Sequence, residues 1–91
     1  MEAGNFKDAL NLLDKSLNMN YQLEGQEHIS NCDILILISQ VWFKRKEFDK
    51  ALEALRKILS IADSLYGPEN EQSATALVEI AKIHAKKQDL V

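Results

Sequence analysis

The chain repeats itself at an interval of 42 residues, and no other feature restricts its fold as strongly. Displaced by 42 positions, it matches itself at 12 of the 49 compared positions, where ordinary residue usage gives about four. The identities are Phe6/Phe48, Ala9/Ala51, Leu10/Leu52, Leu13/Leu55, Lys15/Lys57, Leu17/Leu59, Leu23/Leu65, Gly25/Gly67, Glu27/Glu69, Leu35/Leu77, Ile38/Ile80 and Lys44/Lys86. Most are apolar and three or four residues apart, so one helical face is written twice. Phe48 and Leu90 carry the register to the C-terminus. Three glycines and one proline in 91 residues are too few turns for an all-β fold, which needs turn residues every 8–12 positions or so. The expectation is an all-α chain of about four full helices.

Each period holds two helical segments. From Asn5 to about Tyr21, Phe6, Ala9, Leu10, Leu13 and Leu17 follow the spacing of an amphipathic helix. The copy from Glu47 to Tyr66 places Asp49, Lys50, Glu53, Arg56 and Lys57 on its polar face, with Glu53 and Lys57 as a favourable i,i+4 pair. The second type runs from about Ile29 to Lys44 and from about Glu71 to Lys86. Ser30 and Asp33 have the spacing of a capping box. Gly25 and Gly67 fall at one phase, as left-handed stops after each long helix, with Pro68 blocking continuation. Gly4 is expected at a turn. The segments Lys44–Glu47 and Lys86–Asp89 are expected to join antiparallel helices. Their basic residues complement the preceding helix dipole.

These residues resemble tetratricopeptide repeats, specifically the lengthened variety of kinesin light chains. In the middle repeat Leu35, Ile38, Ser39 and Trp42 match the family's first-helix positions, and Phe48, Ala51, Leu55 and Ile58 its second-helix positions. The third repeat offers Leu77, Ile80, Ala81 and His84, then Leu90, and the first offers Gly4, Phe6, Ala9, Leu13 and Ser16. Leu65-Tyr66-Gly67-Pro68-Glu69, followed by Ala74-Thr75 and Leu77, is similar to the joint of the light-chain repeats. The resemblance implies αα-hairpins stacked as a right-handed superhelix, an α-solenoid fragment. In that frame residues 1–24 end one repeat, 25–66 form the second and 67–91 begin the third. The small residues Ala9, Ser39, Ala51 and Ala81 then permit close helix approach, while Leu35, Trp42, Phe48, Leu55, Leu77 and Ile80 fill the remaining volume. Lys46 and Gln88 stand where the family usually has glycine, so a left-handed residue there carries steric strain.

Catalytic patterns do not emerge from the sequence. Its glycines are scattered rather than gathered into a phosphate-binding loop. His28 and His84 have no nearby cysteine, and Cys32 has no neighbouring His or Lys. Cys32 reads as a small packing residue, His84 as a core or groove residue at the family's aromatic position, and His28 as a solvated joint residue. Glu69 and Glu71 read as charges at a helix start. The expectation is a non-enzymatic protein without cofactor or metal. The net charge of −3 disfavours nucleic acid. The lack of a long apolar run or leader disfavours a membrane span and a signal peptide. A single cysteine suits a reducing, intracellular and cytoplasmic setting.

What the resemblance implies is binding of a peptide or helix of another protein, on a concave face lined by first helices. By position that face comprises Asp33, Ile36, Leu37, Gln40, Phe43 and Lys44, followed by Thr75, Val78, Glu79, Lys82 and Lys86. Ile36, Phe43 and Val78 exceed what one core-facing stripe needs, so either a partner or a neighbouring helix covers them. Kinesin light chains place asparagines, and chaperone-tail receptors lysine and asparagine, where Ile36-Leu37 and Val78-Glu79 stand here. The ligand expected instead is an apolar segment flanked by acidic residues that meet Lys44, Lys82 and Lys86. The alternative is an architectural segment acting by end-to-end stacking. In the repeat frame the chain opens on a second helix and closes on a first one. The apolar faces of residues 6–17 and 74–84 are then expected to lie partly uncovered and open to self-association.

Overall fold

A computed structural model gives the structure of the protein and describes residues 3–89. It contains four helices, α1 (Ala3–Glu24), α2 (Ser30–Lys44), α3 (Phe48–Tyr66) and α4 (Glu71–Asp89), and no strand among the described residues. Each helix packs on the next, and α2 also touches α4. The Cα atoms span 36 × 29 × 16 Å, a slab about two helices deep. One core runs through all four helices. Leu10 and Leu17 enter it from α1, Cys32, Leu35, Ile38 and Val41 from α2, Ala51, Leu52, Leu55 and Ile58 from α3, and Ala76 and Ile83 from α4.

The local devices differ from the sequence expectations in four places. Ser30 does not cap α2. Its own N–H is donated to Nδ1 of His28 at 3.1 Å, so the imidazole supplies the capping acceptor. Gly67 adopts φ 83°, ψ 172°, an extended conformation open to glycine rather than the left-handed helical one. Residues 86–89 belong to α4, so no turn forms there, and Gln88 is helical. Gly4 lies within the first turn of α1. The expectation for Leu90 falls outside the described residues.

Lys46 fulfils its expectation, with φ 63°. It closes α2 with two bonds, from its own N–H to the Phe43 carbonyl (3.0 Å) and from the Glu47 N–H to the Trp42 carbonyl (2.9 Å). This pattern normally favours glycine at the position of Lys46.

A polar latch fastens each joint, and the two latches share the repeat phase. At the first, buried Asn31 donates from Nδ2 to the carbonyls of Gly25 (2.9 Å) and Gln26 (3.1 Å). Its Oδ1 accepts from Nδ2 of Asn20 on α1 (2.6 Å). At the second, Asn70 donates to the Gly67 carbonyl (2.7 Å) and accepts the Ser73 N–H (2.8 Å), capping α4. Buried Ser73 donates to Asp63 of α3 (2.5 Å). Asn31 and Ser73 are counterparts in the 42-residue register, as are Gly25 and Gly67. Every buried side-chain polar atom among the described residues has a partner, which the cost of orphaned buried groups requires.

Candidate functional site

Two hollows flank α2. One, of about 420 Å³, is lined by Ala9, Leu12 and Leu13 of α1 and by Leu37, Gln40, Val41 and Lys44 of α2. The other, of about 310 Å³, is lined by Ser39, Gln40, Phe43 and Lys44 of α2 and by Glu79 and Ile83 of α4. Gln40 and Lys44 line both, so the hollows adjoin as two halves of a groove along α2, to which α3 contributes no residue. Helical geometry explains why these residues of α2 stand together. Leu37, Gln40, Val41 and Lys44 are spaced three or four apart and share one face.

The structure divides the eleven residues expected on this surface. Leu37, Gln40, Phe43, Lys44 and Glu79 line the groove. Asp33, Thr75, Val78, Lys82 and Lys86 are exposed outside its lining. Ile36 and Phe43 are half-buried against the core, so neighbouring helices cover much of what looked like surplus apolar surface. Leu37 (48% exposed) and Val78 (55%) stay open. Ala9, Leu12 and Leu13 of α1 were not expected in the site. The register held a signal, because Leu12 stands where the other copy has the small Ala54.

The charges of this surface are arranged on α2 and α4. Lys82 lies 3.3 Å from Glu79, and Lys87 reaches across to Asp49 of α3 at 3.1 Å. Lys44 and Lys86 are both exposed. A third hollow, lined by residues of α1, α2 and α3, alternates Asp14, Lys50, Glu53 and Lys57 around Leu17, Leu35 and Trp42. Here Nζ of Lys50 sits 4.5 Å from the Trp42 ring centroid, with the Arg45 guanidinium at 5.5 Å. These cation–π contacts occupy the ring.

Other candidate groups are engaged structurally or stand apart. Cys32 is buried, and burial, aided by the charge of Asp33, pushes its thiol up from the ordinary value. Cys32 therefore stays a protonated packing residue at neutral pH. Burial also raises Tyr21. His28 is tied to Ser30 and lies 3.5 Å from Glu24. His84, Leu77 and Ala81, expected within packed positions, are exposed. No cluster of three potential metal ligands occurs among the described residues. No helix there is long and apolar enough to cross a membrane. No family model matches the chain, and no curated protein matches it.

Proposed function

We propose that this chain is a non-catalytic protein-interaction module of the tetratricopeptide kind, working in the cytoplasm. Its ligand is an apolar peptide or helix of another protein, flanked by acidic residues and laid along α2. The observation that carries this reading is the pair of adjoining hollows along α2. Leu12, Leu13, Leu37 and Val41 supply an apolar floor and Lys44 a cation at its edge; Lys82 and Lys86 are exposed on α4, outside the lining. An exposed apolar surface with charged margins suits a partner with the complementary pattern, where the apolar residues give affinity and the charges select. The αα-hairpin formed by α2 and α3 and the repeated joints support the family reading.

Titration calorimetry against synthetic peptides with one apolar core and either acidic or basic flanks tests the proposal. Acid-flanked peptides are expected to bind. Leu37→Asp should weaken them about tenfold or more, and Lys82→Glu combined with Lys86→Glu should remove the preference for acidic flanks. Equal affinity for both peptide classes, unaltered by these substitutions, would refute the reading.

A further inference from the structure

The two joints lie together and carry an apolar surface of their own. Consecutive helices run antiparallel, so α1 and α3 end, and α2 and α4 begin, at one end of the slab. Between the joints is a hollow of about 310 Å³, lined by Ile29 of the first and by Tyr66, Asn70, Glu71 and Gln72 of the second. Tyr66 closes α3 and is 58% exposed. Asn70 is committed to capping α4, which leaves Glu71 as the charged group of the lining.

Leu23 and Leu65 stand at the same end. They are counterparts in the 42-residue register, 78% and 46% exposed. Every other repeated apolar side chain is buried or half-buried in at least one copy, where packing accounts for it. Packing does not account for this pair, and an apolar residue kept at the surface in both copies suits contact with a partner.

The distribution of charge says what that partner carries. Residues 16–43 and 58–81 contain no lysine or arginine, and all eleven basic residues of the chain lie outside these two stretches. The joints fall inside them and bear Glu24, Glu27, Glu69 and Glu71, all exposed. Lys57, midway along α3, lines a separate hollow with Glu27, but the hollow between the joints has no cation in its lining.

We infer that the joint end is a second docking surface, one that takes an arginine-rich segment of another protein. An apolar side chain of that segment fills the hollow against Ile29 and Tyr66, and arginines beside it meet Glu69 and Glu71. Arginine suits this surface better than lysine, because a guanidinium pairs with a carboxylate through two bonds and stacks on a tyrosine ring. The apolar contact supplies affinity, while the charge speeds encounter and rejects acidic partners. The inference goes beyond the proposed function and does not depend on it, since this hollow shares no residue with the two along α2.

Titration calorimetry with a short peptide holding one leucine between arginines tests this, with circular dichroism to verify that variants remain helical. The peptide should bind, and its affinity should fall as salt is raised. Tyr66→Ala should weaken it about tenfold or more. Glu69→Lys combined with Glu71→Lys should abolish binding, whereas Leu37→Asp in the α2 groove should leave it unchanged. Amide NMR shifts caused by the peptide should centre on Ile29, Tyr66 and Gln72. No binding, shifts centred elsewhere, indifference to Tyr66→Ala, or equal affinity for a peptide with glycine in place of the leucine overturns the inference. Failure of the acid-flanked peptides to bind overturns the proposed function and leaves this surface standing.

Discussion

Leu13 and Leu55 occupy one position of the repeat in two different settings, so truncating each measures what packing adds to sequence. Leu55 is 0% exposed at the centre of α3, between α2 and α4. Leu13 is half-buried in the floor of the groove. Leu55→Ala removes three carbon atoms from a filled core. At about 0.8 kcal/mol per methylene-sized group, transfer alone accounts for about 2.4 kcal/mol, and the cavity left behind raises the cost towards about 3–4 kcal/mol. A chain of 91 residues has a total stability of about 5–14 kcal/mol, so this substitution takes a large share. Leu13→Ala loses a smaller apolar area and leaves an open hollow, for a cost of about 1 kcal/mol. Urea unfolding followed by ellipticity at low protein concentration measures both. The reasoning fails if Leu55→Ala costs no more than Leu13→Ala, because position in the repeat rather than burial would then set the energy.

Asn31→Leu should destabilise the protein by about 2–4 kcal/mol, because Asn20 and the Gly25 and Gln26 carbonyls lose their partner; denaturant midpoints compared with those of Ser73→Ala check it. Lys46→Gly should stabilise by up to about 1 kcal/mol, since glycine removes the penalty of φ 63°; a lower urea midpoint would contradict this. Gly67→Ala should cost about 1–3 kcal/mol in the same assay. An added Cβ would meet nothing within 4 Å, so the cost there lies in the backbone. The Cys32 thiol should resist disulfide reagents in the native state. Its folded pKa lies above the ordinary 9.0, so the unfolded chain releases its proton first. Its contribution to stability is therefore present below about pH 9 and falls as pH rises through that value. Across pH 8–10 the parent should lose stability relative to Cys32→Ala as pH rises, and parallel curves would refute it.

Much of the architecture was legible because helices record themselves locally. The intervals among Phe48, Ala51, Leu52 and Leu55 define a face without reference to the rest of the chain, and the expected limits of α3 fall within one residue of those observed. The left-handed Lys46 was legible only through the resemblance, because it stands where the family usually has glycine. The joints were not. Ser30 has the spacing of a cap, yet its N–H bonds to the His28 ring and its Oγ accepts from Asn20 of α1. Periodicity likewise offered no basis for separating α1 from α3, or α2 from α4, because the apolar pattern is the same in both copies.

The sequence by itself determined the number of helices, their order and the face each turns inward, through spacing that is local and repeated. The repeat frame carries the expectation that the faces of residues 6–17 and 74–84 lie partly uncovered, and tertiary structure decided which of their residues are. Leu35 and Leu77 are the same residue at the same phase, and only the first is enclosed by neighbours. Burial belongs to what stands opposite a side chain, and for these two leucines that is the presence or absence of a helix distant in sequence.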